Sequence, residues 1–264
     1  MIVAAAICPS PPLLASELTG QADILPELRA ACAAAVTRLL AAAPELVAVV
    51  GPAGTTGPWD PAGQLSLASF APALRQGGPQ ADNSKKRDAG PAGAAPAAAS
   101  RPAAAPLLPL ALGIGARLLD QAGYTGPRTL YGIGEDEPAA ACLALGKDIA
   151  ASAPRVALLA VGDGSARRSA AAPGYLDERA APFDESVERA VRDGDLPAIA
   201  ALDPALAAAL LAAGRPAWQA LAGALAAGHR SPEHSVATRP RTEILYSDAP
   251  LGVAYLVATL ATEP

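Results

Sequence analysis

The chain has 264 residues, of which 52% are hydrophobic, 3% aromatic and 17% charged, and its formal net charge is −5. The length suits one large α/β domain or two small ones, and the acidic balance argues against a nucleic-acid partner, which usually meets a basic stripe. No apolar run reaches about 18 residues without a charge or a proline, so no membrane span is expected. The sparse charge is compatible with a partner surface or a homo-oligomer.

Apolar runs alternate with helical patterns in the first half of the chain. Residues 2–8 and 45–54 contain short apolar runs, which are typical of strands buried on both faces. Between them, residues 26–43 carry apolar side chains at helical spacing, and Pro44 ends that pattern. Strand, helix and strand in this order predict a βαβ unit with a parallel sheet. Residues 76–105 contain almost no large apolar side chain and are predicted to form a mobile insertion.

The second half continues the same alternation. Strands are predicted over residues 127–134 and 155–162, and residues 242–260 predict one or two terminal strands. Helices are predicted over residues 110–122, 137–152, 182–193, 195–202, 204–213 and 216–227. The sequence therefore predicts a single α/β domain, residues 1–264, with a mostly parallel central sheet flanked by helices. Because alanine dominates the helices, we expect them to pack closely.

Cysteine usage predicts the cellular compartment. The three cysteines, Cys8, Cys32 and Cys142, are too few and too scattered for a disulfide framework. A reducing, cytoplasmic location is expected. The apolar N-terminal stretch carries no basic residue before Arg29, so a buried strand is a better interpretation of it than a signal peptide. Cys8 ends that strand and is expected to pack in the core.

Four loops follow predicted strands at the positions where open parallel sheets bind ligands. Their small residues leave room for a pocket, although glycine and proline also simply end strands. The loops are residues 8–12 (CPSPP), 51–54 (GPAG), 162–168 (GDGSARR) and 247–250 (SDAP).

These loops, in this order, resemble the class III extradiol ring-cleavage dioxygenase superfamily, nearest to the catalytic B subunit of protocatechuate dioxygenases and its Memo-like relatives. The stretch GDGSARRSAAAPGYLDERAAPFDESV at residues 162–187 resembles the family run Gly-Asp-x-Ser-His-Arg, then Ala-Pro-x-Gly-Tyr, then a Phe-Asp helix start. The end of the chain, LYSDAPLGVAY, resembles Tyr-Glu-Gly-Pro-Phe-Gly-Val-Gly-Tyr, and CPSPP resembles Pro-His-Pro-Pro. The resemblance covers most of the chain outside residues 55–105.

The resemblance implies a non-haem Fe(II) held by two histidines and a glutamate, beside a catalytic histidine. Position by position, the ligand histidines fall on Ser10 and Ala53, the catalytic histidine on Ala166 and the glutamate on Asp248. A hydroxyl and methyl groups cannot replace imidazoles, and one carboxylate cannot hold Fe(II) against water. We therefore expect no metal and no cofactor here.

The retained loops are expected to form a cleft at one edge of the sheet. Its members at family-equivalent positions are Ser10, Ala53, Asp163, Ser165, Ala166, Arg167 and Asp248. We expect Arg167 or Arg168 to reach Asp248, which would otherwise be a partly buried carboxylate without a cation.

Three hypotheses follow for the function. In the first, a protein that has lost ring cleavage keeps the cleft to bind a small molecule or a partner. In the second, an enzyme of altered chemistry uses Asp163 and Asp248 as acid and base, with Arg167 or Arg168 holding an anionic substrate. One variant of this second hypothesis adds a metal supported by His229 or His234, and another retains ring cleavage. In the third, the chain is a subunit of an assembly.

Overall fold

The computed structural model describes residues 1–19, 24–67, 70, 106–228 and 239–261. The predicted insertion at residues 76–105 lies outside these described residues. The strands are β1 (Ile2–Cys8), β2 (Leu46–Ala53), β3 (Gly57–Trp59), β4 (Gln64–Leu65), β5 (Leu107–Leu108), β6 (Arg128–Gly134), β7 (Val156–Val161), β8 (Arg241–Asp248) and β9 (Tyr255–Ala261). The predicted strands are confirmed, whereas the short strands β3, β4 and β5 were not predicted, because two or three residues carry no periodic signal.

The predicted helices are also confirmed, with ends that shift by a few residues. They are α1 (Ser16–Thr19), α2 (Pro26–Ala41), α3 (Leu110–Gln121), α4 (Ala139–Ala151), α5 (Ala180–Arg192), α6 (Leu196–Ala200), α7 (Pro204–Ala209) and α8 (Arg215–Gly228). A 3-10 turn, Pro12–Leu14, and α1 follow β1 and were not predicted. Within the described ranges, no helix is long and apolar enough to cross a membrane.

The main sheet has seven strands in the order β3-β6-β2-β7-β1-β9-β8. The central strands β6, β2, β7 and β1 are parallel, as the βαβ pattern predicts. The flanking strands β3 and β9 are antiparallel to their neighbours, so the sheet as a whole is mixed. β8 pairs antiparallel with β9 and therefore runs in the direction of β1. Its carboxyl end consequently lies at the same edge of the sheet as those of β1, β2 and β7.

Apolar layers cover both faces of the sheet. Along β2, Ala48 and Val50 pack on one face, whereas Val47 and Val49 pack on the other. The first face is covered chiefly by α4 and α8, and the second by α2 and α3. Burial on both faces explains why the strands read as continuous apolar runs.

The helix boundaries have local causes. Asp195 and Asp203 each accept a backbone hydrogen bond at the start of α6 and α7, from the amides of Ala198 at 3.0 Å and Ala205 at 2.8 Å. The prediction of a helix over residues 204–213 was too long. α7 stops at Ala209 because Leu211 adopts a left-handed backbone conformation, with φ of 57°.

Small residues bring α4 and α8 into backbone contact. A Cβ atom placed on Gly146 would lie 1.9 Å from the carbonyl oxygen of Ala220, and one on Gly223 would lie 2.2 Å from that of Leu143. Real Cβ atoms do not approach so closely. The expectation that the small-residue helices pack closely is confirmed for this pair.

Candidate ligand-binding site

The carboxyl edge of the sheet brings together the loops that follow β1 and β7. The amide of Gly162 donates to the carbonyl of Cys8 at 2.9 Å, and the amide of Ser10 donates to Oδ1 of Asp163 at 2.6 Å. These contacts form because the two strands are adjacent and parallel. The structure thus places Ser10 and Asp163 side by side, two of the residues that the sequence assigned to the cleft.

Two loop segments joined by backbone hydrogen bonds divide this edge. Residues 164–168 run beside residues 252–254, and we call this pair the loop ribbon. The amide of Gly164 donates to the carbonyl of Ala254 at 2.8 Å, and the amide of Ala254 donates to the carbonyl of Ser165 at 2.9 Å. The amide of Arg168 donates to the carbonyl of Gly252 at 3.0 Å. The loop ribbon presents different residues to its two sides: Ala166 and Val253 line a cavity on one side, and Gly164, Arg168 and Ala254 line a cavity on the other.

On one side of the loop ribbon lies a cavity of about 320 Å³, which we call the apolar groove. Asp163 and Tyr255 supply its polar side-chain atoms. Its other lining residues are Pro11, Pro12, Leu13, Ala166, Pro173, Leu211, Ala213, Leu251 and Val253. A mostly apolar wall with few polar groups is the usual composition of a small-molecule site.

Asp163 and Tyr255 are the titratable groups of the apolar groove, and burial raises the pKa of both. The pKa of Asp163 rises to about 6, although hydrogen bonding from Ser10 opposes the shift. For Tyr255, the charge of Asp163 adds to the effect of burial on the pKa. The two groups therefore lie close enough to interact within one apolar surrounding.

The raised pKa of Asp163 predicts a pH-dependent loss of stability. Its carboxyl group ionises less readily in the folded state than in the unfolded chain. For this group alone, the folded state is therefore most stable at low pH, where the carboxyl is protonated, and it loses stability as the pH rises through about 6. We expect Asp163→Asn to exceed the wild type in free energy of unfolding by about 2 kcal/mol at pH 7.5, with no difference near pH 4. Urea denaturation across this range measures the difference, and parallel pH profiles for the two proteins would contradict the assignment.

On the other side of the loop ribbon lies a cavity of about 220 Å³, which we call the polar cleft. Asp184 lines this cleft and makes several polar contacts. It accepts hydrogen bonds from the amide of Ser165 at 2.9 Å and from the Ser165 hydroxyl at 2.5 Å, and it pairs with Arg168 at 3.2 Å. These contacts fasten the loop ribbon to α5.

The structure does not bring Asp248 to Asp163. Asp248 is exposed and lines the polar cleft, whereas Asp163 lines the apolar groove. The expectation that an arginine reaches Asp248 is wrong: Arg168 pairs with Asp184, and Arg167 donates to the carbonyl of Gly174. An exposed carboxylate is solvated and needs no cation, which removes the reason for that expectation.

The other residues at family-equivalent positions also lie apart from one another. Ala166 lines the apolar groove, while Ser10 and Ser165 are buried beside Asp163 and Asp184 respectively. Ala53 ends β2 opposite Gly134 and is part of the lining of neither cavity. The four family ligand and catalytic positions therefore do not share a single cavity.

The described residues contain no group of three or more His, Cys, Asp or Glu side chains that could hold a metal ion. His229 and His234 lie outside the described residues. Cys8 is buried next to Cys32. A hydrogen bond with Cys32 and, to a smaller extent, burial raise the pKa of the Cys8 thiol well above its ordinary value. Cys8 is therefore a core residue rather than an activated nucleophile.

Sequence reasoning missed several residues that shape this edge. Asp184 and Tyr255 lie within motifs of the family resemblance, so those motifs contained the signal. The sequence around Leu211 and Arg215 contained no such signal. Arg215 is buried at the start of α8, where a positive charge is disfavoured by the helix dipole, and it donates to the carbonyls of Glu135 and Glu137.

Comparison with known proteins supports the fold class. No protein-family model matches the chain, and no curated protein matches its sequence. The crystal structure of the uncharacterized protein JW3007 from Escherichia coli K12 is similar, with a TM-score of 0.51 and 15% sequence identity over 98% of this chain and 100% of that one. At this identity the similarity shows the fold alone, a single α/β domain with a mixed seven-stranded sheet flanked by helices.

Proposed function

We propose that this chain is a class III extradiol dioxygenase-like protein that has lost Fe(II)-dependent ring cleavage and binds a small molecule in the apolar groove. The observation that carries the proposal is the lining of that groove. Asp163 and Ala166, which come from the stretch most similar to the family, face the same cavity as Pro11 and Pro12 of the first loop. Two of the residues at family-equivalent positions thus line one mostly apolar cavity, which supports ligand binding there.

The residues at the family ligand positions do not fit an iron ion. Ser10 offers a neutral hydroxyl, Ala53 and Ala166 offer methyl groups, and Asp248 lines a different cavity from Ala166. Fe(II) sites of this type need imidazole and carboxylate donors around one point. The proposed binding function therefore does not involve a metal.

The enzymatic alternative requires Asp163 and Asp248 to act on one substrate. The two carboxylates line cavities on opposite sides of the loop ribbon, so this pair does not provide acid and base for a single bound molecule. Ligand binding without that pair is the simpler function for the apolar groove.

Leu211 supports a binding role for the apolar groove. It follows the end of α7 with φ of 57°, at a position where glycine is the usual residue. A leucine in this conformation costs about 1 kcal/mol in backbone energy. Leu211 is 47% exposed, lies beside Gly174 and lines the groove, so it provides an apolar rim that a ligand can contact.

Replacing Leu211 by glycine tests the proposal. Leu211→Gly should keep or raise the free energy of unfolding, because the left-handed backbone is relaxed, and should weaken binding of the neutral probe 2-phenylethanol about fivefold, because one groove wall is lost. Titration monitored by NMR measures the binding. Ala43→Gly is the matched control, since Ala43 has φ of 48° just after α2 and is no part of the groove lining.

Two results would overturn the proposal. Equal affinity of the wild type and Leu211→Gly for the probe would remove the groove as the binding site. Oxygen uptake with formation of a ring-opened product, when the wild type is supplied with Fe(II) and catechol, would show that ring cleavage survives. We expect the oxygen trace to match that of a protein-free control.

A further inference from the structure

The apolar groove contains a carboxylate that has no cationic partner among the described residues. Asp163 accepts the amide of Ser10, and no ion pair accompanies that bond. The two neighbouring arginines are engaged elsewhere: Arg167 with the carbonyl of Gly174, and Arg168 with Asp184 on the far side of the loop ribbon. Tyr255 is the other titratable group of the groove lining and is a hydrogen-bond donor, not a cation.

A carboxylate placed in an apolar wall without a counter-ion costs stability. Ser10 already donates to Asp163 through its amide and its side chain, and because an ionised carboxylate only accepts hydrogen bonds, a bound molecule can add a further donor. A cationic donor gains most, because charge-assisted hydrogen bonds are about twice as strong as neutral ones. An anionic molecule is disfavoured by repulsion from Asp163.

The shape of the groove restricts the rest of the ligand. Its volume of about 320 Å³ lies at the lower end of the range for small-molecule sites, which favours a small ligand over a large cofactor. Leu211 and Leu251 line it and are 47% and 45% exposed, so the mouth of the groove is apolar. The ring of Tyr255 also lines it and can lie against an organic cation.

We propose that the ligand of the apolar groove is a small hydrophobic amine, whose ammonium group donates to Asp163 while its hydrocarbon part contacts the apolar walls. This inference rests on the proposed binding function and specifies its ligand class. A primary amine is protonated at neutral pH, so the ligand carries the positive charge that the groove lacks.

Three probes of equal shape and different charge test the inference. Isothermal titration at pH 7.5 should show 2-phenylethylamine binding at least about tenfold more tightly than neutral 2-phenylethanol. The anion phenylacetate should bind most weakly. Asp163→Asn should remove the advantage of the amine and leave the affinity for the alcohol unchanged, since an asparagine oxygen can still accept from Ser10.

Asp248→Asn is the matched control, because Asp248 is a carboxylate at the same sheet edge that lines the polar cleft instead. It should leave the affinities for all three probes unchanged. Equal binding of amine and alcohol, both weakened by Leu211→Gly, would overturn the amine inference and leave the groove as a binding site. Preference for the amine that depends on Asp248 rather than Asp163 would also overturn it. Binding of none of the probes would overturn the proposed function itself.

Discussion

Replacing Gly146 by alanine is expected to lower the free energy of unfolding by about 3 kcal/mol. The added Cβ atom would lie 1.9 Å from the carbonyl oxygen of Ala220 and 2.7 Å from the amide nitrogen of Ala224. Both are backbone atoms of α8, so no side chain can rotate away and the two helices must move apart. Their separation would disturb the core on that face of the sheet, where α4 and α8 pack together.

The sign of this effect separates packing from helix propensity. Alanine is favoured over glycine inside a helix by about 1 kcal/mol, so propensity alone predicts a more stable protein. Gly54→Ala is the control, because nothing lies within 4 Å of a Cβ atom at that exposed position. Denaturant unfolding should show a change within about 0.5 kcal/mol for the control. Stabilisation by Gly146→Ala would contradict the backbone contact between α4 and α8.

Replacing Arg215 by methionine is expected to destabilise the fold by about 3 kcal/mol or more. Arg215 is 1% exposed. Its guanidinium donates to the carbonyl of Glu137 at 2.6 Å and to Oε1 of Gln219 at 3.0 Å, and it also donates to the carbonyl of Glu135. Methionine keeps an unbranched apolar stem and leaves these three acceptors without their donor. The loop between β6 and α4 would lose its attachment to α8.

Lysine at this position tests the geometry of the contact. Arg215→Lys restores a positive charge, but an ammonium group on a flexible stem does not match the planar fork, so we expect only partial recovery of stability. Arg179→Met is the surface control, since the Arg179 side chain is 61% exposed and pairs with Asp177 on the surface. It should change the free energy of unfolding far less than Arg215→Met does. Equal effects at the two positions, measured by thermal and denaturant unfolding, would contradict a structural role for Arg215.

The regular elements of this protein were predictable because their signals are local. The run of residues 2–8 became β1, Ile2–Cys8, since a strand covered on both faces needs apolar side chains at every position. Asp195 and Asp203 were recognisable as caps because a side-chain oxygen beside a proline in the first turn satisfies free helical amides. The position of the candidate site at the carboxyl edge also followed from strand order and parallel direction.

The arrangement within the site depended on contacts between distant parts of the chain. The pairing of residues 164–168 with residues 252–254 decides which side chains share a cavity, and it places Asp163 and Asp248 on opposite sides of the loop ribbon. Arg215 finds its acceptors in a loop about 80 residues away in sequence, so composition and periodicity give no sign of it. Sequence by itself determined which segments reach this edge of the sheet, whereas tertiary structure decided which of their side chains meet, because the hydrogen bonds of the loop ribbon join segments that are distant in sequence and thereby set which residues face each cavity.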